Sequence, residues 1–389
     1  MPPPTVIVGM SGGVDSAVAA LVLKQAGYTV QGLFMSNWEE DDDAYCTAAE
    51  DFQDARRVCD TLGLALHRVS FAAEYRERVF AHFLREYAAG RTPNPDVLCN
   101  REIKFGVCLD YMHRLGATSI ATGHYARLEA TSEGIRLLKA ADREKDQSYF
   151  LHGVAPRALA DTLFPLGLKR KEEVRRLAHA AGLCVFDKPD STGICFIGER
   201  PFQDFLRRYL PTACGPIETP DGTVVGEHRG LALYTLGQRS GLGIGGRAGA
   251  AEAPWYVAAK DARRNALIVV QDHDHPMLMS ESFEVEEMRW LVAPRTLGLD
   301  RQCATLSCAV KTRYRQNDLK CLIEMDAARL RVRLARPARA VTPGQYAVFY
   351  LDDLCLGGGV IGEREVALGG LASAAPRQGA VESSERTCA

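Results

Sequence analysis

The 389-residue sequence has no apolar run approaching the roughly 20 residues a membrane helix needs. It has almost no net charge, with 47 Lys and Arg against 49 Asp and Glu, which excludes a globally basic coat for nucleic acid but leaves room for a local basic patch. None of its 12 cysteines forms a C-x-x-C pair, the close spacing structural zinc usually uses, and no zinc or iron–sulfur cluster is expected. No basic n-region precedes the apolar Thr5–Gly9 segment, so no signal peptide is expected and a cytoplasmic location is. No internal repeat is present. What remains is ordinary globular composition, 47% hydrophobic and 25% charged, in a chain long enough for two or three domains.

The first part alternates strand and helix. The pattern predicts strands at Thr5–Gly9, Thr29–Met35, Leu64–Phe71 and Ser119–Gly123. Helices are predicted at Ser16–Ala26, Ala44–Leu62, Glu74–Ala88 and Glu102–Leu115. That rhythm predicts an α/β fold with a doubly wound parallel sheet. Residues 155–210 read as mainly helical around the loop Asp187–Gly198. After Pro211 glycine and β-formers dominate, and short alternating runs (Cys303–Val310, Leu319–Met325, Leu330–Leu334, Tyr346–Tyr350) predict a small β-barrel or sandwich, of which the barrel is expected. The expected domains are therefore 1–210, a small β-rich unit at 211–276 and a barrel at 277–365, with an Ala/Gly/Ser-rich, disordered tail at 366–389.

Ser11-Gly-Gly-Val-Asp-Ser16 falls between the first strand and helix, at the sheet edge where open α/β sheets bind ligands. Gly12 and Gly13 let backbone N–H groups approach an anion, Ser11 and Ser16 add hydroxyls, and the helix start favours phosphate. The loop lacks the Gly-Lys-Ser/Thr ending of a Walker A sequence, which argues against a kinase or motor ATPase. It resembles the pyrophosphate loop (PP-loop) of ATP pyrophosphatases, a resemblance that implies ATP cleaved between its α and β phosphates, AMP placed on a substrate oxygen, and Asp15 helping to hold magnesium.

Two cysteine segments stand out. Asp96 and Cys99 lie just before a predicted helix, where the helix start and Arg101 or Lys104 would lower a thiol's pKa while Asp96 opposes this. Cys195 lies in a glycine-bracketed loop near Lys188, Glu199 and Arg200. A buried packing thiol explains Cys99 equally simply, and for Cys195, next to Phe196 and Ile197, it is the simpler reading of the residues alone. Residues 311–339 carry nine basic against three acidic residues, with Tyr314 among them. This is either a nucleic-acid grip with a stacking aromatic or a solvated strand face, since Arg329, Arg331 and Arg333 alternate onto one side. The run Glu39–Asp43 reads as a solvated loop, and Gly241–Gly246 as flexible backbone rather than a phosphate cradle.

Seven segments together resemble the bacterial tRNA-specific 2-thiouridylase family. They are Gly9-Met-Ser-Gly-Gly-Val-Asp-Ser16, Phe34-Met-x-Asn-Trp-Glu-Glu-Asp41, Gly90-Arg-Thr-Pro-Asn-Pro-Asp-x-Leu-Cys-Asn100, Ala121-Thr-Gly-His-Tyr125, Lys145-Asp-Gln-Ser-Tyr-Phe-Leu151, Asp190-Ser-Thr-Gly-Ile-Cys-Phe-Ile-Gly-Glu-Arg200 and Lys311-Thr-Arg-Tyr-Arg-Gln316. The resemblance runs from Val6 to Gly362 and implies ATP-dependent 2-thiolation of the wobble uridine of tRNA. It implies Cys195 as persulfide carrier, Cys99 as nucleophile and Asp96 as general acid/base. It implies ATP contacts at Gly9, Met10, Ser11, Gly12, Gly13, Val14, Asp15, Ser16, Met35 and Gly123. Contacts to tRNA are implied at Asn94, Pro95, Asp96, His124, Lys145, Asp146, Gln147, Arg313, Tyr314 and Gln345. The partners it implies are tRNA, a persulfide-donating relay protein and a reductant for a Cys99–Cys195 disulfide. The residues alone leave open an amide-forming adenylating synthetase, which would need neither thiol, and a nucleotide- or RNA-binding protein without chemistry.

Overall fold

The computed structural model describes residues 4–38, 48–189, 202–210, 213–244, 253–299, 304–326 and 329–366. Strand β1 (Thr5–Met10) leads through the glycine turn into helix α1 (Val14–Gln25), followed by β2 (Thr29–Ser36), α2 (Ala48–Leu62) and β3 (Leu66–Ser70). Two longer helices follow, each containing a π-helical stretch. Segments α3 (Ala72–Tyr75) and α4 (Ala81–Ala88) flank Arg76–Phe80, and α5 (Pro95–Leu98) and α6 (Cys108–Arg114) flank Cys99–Val107. Then come β4 (Ser119–Ala121), the hairpin β5 (Ala126–Thr131) and β6 (Gly134–Lys139), α7 (Ser148–Leu151), α8 (Pro156–Ala160), β7 (Thr162–Leu163), α9 (Lys171–Ala180) and α10 (Phe202–Arg207).

The first sheet has the order β3-β2-β1-β4-β7, with every pair parallel. Val6, Ile7 and Val8 are fully buried, as a central strand covered on both faces requires. The chain winds outward from β1 to β3 and then crosses to β4, so the topological switch lies between β1 and β4. The crevice at their carboxyl ends is where such a sheet binds its ligand.

A second sheet, β10-β11-β8-β9, is built from β8 (Gly215–Glu218), β9 (Val224–His228), β10 (Trp255–Asp261) and β11 (Ala266–Gln271). The third comprises β12 (Met279–Trp290), β13 (Ala304–Lys311), β14 (Leu319–Asp326), β15 (Arg329–Arg339), β16 (Tyr346–Leu351) and β17 (Leu354–Val366). These six run in the order β12-β15-β14-β13-β16-β17, and β17 pairs back to β12, closing a barrel. The strands expected from alternation are present in it. Leu330, Val332 and Leu334 face its core, while Arg329, Arg331 and Arg333 face out and pair with Glu284, Glu365 and Glu324. For those three arginines the strand-face reading fits.

Two features differ from the sequence reading. The hairpin β5–β6 was not expected, and it joins the barrel rather than the parallel sheet: Leu354 of β17 pairs with Leu138 of β6. Arg127 and Arg143 both bond Asp353, and Lys139 pairs with Asp318, fastening this edge by charge. Secondly, the helix expected from Glu102 begins at Pro95. Asn94 caps it, its side chain accepting from the Asp96 N–H at 3.1 Å, and Pro95 occupies the first helical position, which needs no N–H. Asp96 and Cys99 therefore sit in the first two turns of a helix rather than before it.

Candidate active site

The turn after β1 is built by its serines. Ser16 Oγ donates to the Gly13 carbonyl at 3.0 Å and accepts from the Ser11 N–H at 3.2 Å, while Ser11 Oγ accepts from the Gly13 N–H at 3.4 Å. Gly12 has φ +75°, and a Cβ there would lie 2.4 Å from the Asp51 carbonyl oxygen, so only glycine fits. The side chains of Met10 and Val14 are buried in the core, so only their main chain can serve a nucleotide. Gly9 lies between strands, with Met35 Cε 3.8 Å from where its Cβ would be.

Across the crevice, the strap after β4 closes on this turn. A Cβ at Gly123 would meet the Asp15 carbonyl carbon and the Ser16 nitrogen at 2.7 Å, so the two backbones touch. Tyr125 donates its hydroxyl to Asp15 Oδ1 at 2.8 Å. Lys171, at the start of α9 and buried, donates to both oxygens of Asp15 at 2.7 and 2.8 Å. Sequence reasoning missed Lys171, since a lysine 156 positions away at a helix start carries no local signal. Asp15 is thus already neutralised by a cation, an arrangement that does not fit a magnesium ligand. Among the described residues no group of three or more His, Cys, Asp or Glu could hold a metal ion.

His124 lies in the same strap. Its Nδ1 shares a 2.7 Å hydrogen bond with Thr122 Oγ1, and its ring packs 5.9 Å from both Phe105 and Phe164. Burial, with Lys104 adding to it, holds its pKa well below the ordinary value, so the ring is neutral. Through Phe105 the strap is packed against the helix that carries Asp96 and Cys99. Cys99 is buried, in a cluster with Val97 and Leu98. Burial pushes the Asp96 carboxyl above the ordinary aspartate value, and Lys104 partly opposes this. Asn100 is buried beside them; its Nδ2 donates to the Asp96 carbonyl at 3.0 Å, while its Oδ1 meets no donor among the described residues.

Three parts of the chain hold the segment leading into this helix. Lys260 of β10 donates to the Gly90 carbonyl at 3.0 Å, and burial lowers its pKa to about 8. Arg91 pairs with Glu86 at 2.7 Å and with Glu286 of the barrel at 2.9 Å. The Thr92 N–H donates to the Pro343 carbonyl at 3.0 Å and its own carbonyl accepts from Gln345 Nε2 at 2.8 Å. Gln345 is therefore a strut between the barrel and this turn.

Three of the remaining expected tRNA residues, but not Gln147 or Arg313, line a cavity of about 860 Å³ where residues 143–146 face residues 311–318. Lys145, Asp146 and Tyr314 all line it, with Lys311 and Arg315. Asp146 itself is buried and accepts from the Ala140 N–H and the Ser148 hydroxyl at 2.9 Å, and Gln147 accepts from the Tyr125 N–H at 3.0 Å. Tyr314 packs 4.4 Å from Phe150, and Arg313 is exposed.

Cys195, the run Glu39–Asp43, Gly245 and Gly246, and the tail from Ala367 lie outside the described residues. The residues on either side of the Cys195 segment are anchored. Lys188 donates to the Gly12 carbonyl at 3.1 Å and pairs with Asp51 at 2.7 Å, while Arg175 donates to the Lys188 carbonyl at 3.1 Å. After the segment, Phe202 packs 5.7 Å from Tyr87.

Family models match along the chain: a tRNA methyl transferase HUP domain at residues 4–199, a tRNA methyl transferase PRC-barrel domain at 203–271 and an aminomethyltransferase beta-barrel domain at 280–361. The chain is 57% identical over 358 residues to the tRNA-specific 2-thiouridylase MnmA of Chromohalobacter salexigens, covering 92% of each. It is also 57% identical to that of Methylococcus capsulatus, covering 92% of this chain and 96% of the other. The chain belongs to the tRNA-specific 2-thiouridylase family. A 4-thiouridine synthetase bound to RNA and ATP aligns over 53% of this chain and 50% of its own, at 15% identity and TM-score 0.32. No helix among the described residues is long and apolar enough to cross a membrane.

Proposed function

We propose that the protein replaces the 2-oxygen of the wobble uridine of tRNA with sulfur. A pyrimidine 2-carbonyl is a poor electrophile with a poor leaving oxygen. ATP held at the Ser11–Ser16 turn adenylates that oxygen, and a sulfur nucleophile then displaces AMP. Turn N–H groups, the Ser11 and Ser16 hydroxyls and the start of α1 provide for the phosphates. Lys171 is placed to hold Asp15 until the nucleotide arrives.

In this reading Cys195 receives a persulfide from a relay protein. Cys99 attacks the inner sulfur of that persulfide, hydrosulfide leaves to displace AMP from the base, and a Cys99–Cys195 disulfide remains for a reductant. Burial raises the Asp96 pKa above that of an ordinary carboxyl, which suits it to hold a proton as general acid/base. The unsatisfied Oδ1 of Asn100 would accept an N–H from a base entering beside it. The cavity beneath Tyr314, with Lys145 and Lys311, suits RNA phosphate and a stacked base.

The observation that carries this reading is Lys188. It donates to the Gly12 carbonyl at 3.1 Å and lies seven residues before Cys195 in the chain, which supports Cys195 acting at the nucleotide turn. The test is mass spectrometry of tRNA incubated with enzyme, ATP and a persulfide source. Wild-type protein is expected to yield 2-thiouridine. Cys195→Ser should abolish it while tRNA-dependent pyrophosphate release continues. Undiminished thiolation by Cys195→Ser would overturn the assignment.

A further inference from the structure

Cys308 on β13 and Cys321 on β14 are directly opposed in the antiparallel ladder, and their sulfurs lie 3.6 Å apart. Cross-strand partners have Cα atoms about 4.5 or 5.5 Å apart, and both spacings fall within the span a disulfide bridges. Neither thiol belongs to the site described above. The two differ in setting: Cys321 is buried and Cys308 partly exposed. Cys321 lies in the barrel core and Cys308 packs against it, on the side of the ladder that Leu334 faces, while Lys320 and Arg333 face out.

We propose that Cys308 and Cys321 form an oxidisable dithiol that a low-molecular-weight disulfide closes to a cross-strand bond. The Cys308 thiolate attacks one sulfur of the small disulfide, forming a mixed disulfide and expelling one thiolate. Cys321 gives its proton to that thiolate and attacks the Cys308 sulfur, expelling the second small thiol. One small disulfide is reduced to two thiols, and the protein loses two electrons and two protons. The order follows from the structure. Cys321 is the buried partner, and its hydrogen bond with Cys308, with burial, pushes its pKa upward, so it is the resolving thiol and Cys308 the attacking one. The bond would lie just below the turn at residues 312–318, which carries Arg313 and Tyr314, and would stop that end of the hairpin from fraying.

The experiment incubates the full chain with glutathione disulfide, quenches with N-ethylmaleimide and maps tryptic peptides by mass spectrometry. The expected product joins peptide 302–311, carrying one N-ethylmaleimide on Cys303, to peptide 321–329 at two hydrogens below their summed mass. Fragmentation should place the link on Cys308 rather than Cys303. Cys321→Ala should trap glutathione on Cys308. Two outcomes overturn the proposal. One is alkylation of both Cys308 and Cys321 while the exposed Cys184 and Cys214 carry glutathione. The other is glutathione remaining on Cys308 of the wild-type chain with Cys321 alkylated.

Discussion

Lys171 and Asp15 offer a test of the nucleotide turn that needs no substrate. The ammonium is bound to both carboxylate oxygens, with its side chain about 10% exposed and that of Asp15 about 32%. Removing one partner of a fully buried pair costs about 3–5 kcal/mol, and an exposed pair contributes about 0–1 kcal/mol. With one member a third exposed, and Tyr125 still donating to Asp15, Lys171→Met is expected to cost about 2 kcal/mol. Asp15→Asn should cost a similar amount, because it leaves a buried ammonium without its counter-charge. The double variant should lose less than the two together, by a coupling of about 1–2 kcal/mol. Urea unfolding of the four proteins measures this, with equal m-values as the check that only stability has changed. Losses that add to within about 0.5 kcal/mol would refute the coupling and with it the view that Lys171 holds the turn. Under the proposed function Lys171→Met should also slow tRNA-dependent pyrophosphate release.

Gly123→Ala should destabilise the fold by about 1–3 kcal/mol, since its Cβ would press on backbone rather than a movable side chain; Gly13→Ala, whose Cβ meets only Ser11 Oγ at 3.4 Å, should melt near the wild type while weakening ATP binding by calorimetry. An unchanged melting temperature for Gly123→Ala would show that the strap and the turn do not touch. Burial lowers the Lys260 pKa to about 8 from 10.5. Between those values the unfolded chain binds the proton that the folded one has released, so folding stability rises with pH. Wild type relative to Lys260→Met should therefore gain stability from pH 8 to 10.5 and stay level below pH 8. A level difference across the whole range in denaturant titrations would place the ammonium in water.

Local chemistry made much of the molecule legible. The βαβ alternation gave the parallel sheet, because burial on both faces demands continuous apolar strands such as Val6–Val8. Barrel strands were readable because side chains alternate sides with period two, as Leu330 to Leu334 do. The Asn94-Pro95 cap was also there to be read, since Asn at the cap and Pro at the first helical position both mark a helix start. The hairpin at 126–139 was missed because its short, charged strands look like surface, and their partner, β17, lies over 200 residues away.

Residue types near Gly12, Asp96 and Cys99 follow from the sequence by itself, since glycine conformations, caps and thiols act within a few bonds. Tertiary structure alone decided which charges meet. Lys171 on Asp15, Lys188 on Gly12, and Lys260 and Gln345 on the residue 90–92 segment all join points more than 150 residues apart. Such pairings depend on how sheets and barrel pack together, and electrostatic attraction between two side chains has no period along the chain by which it could be read.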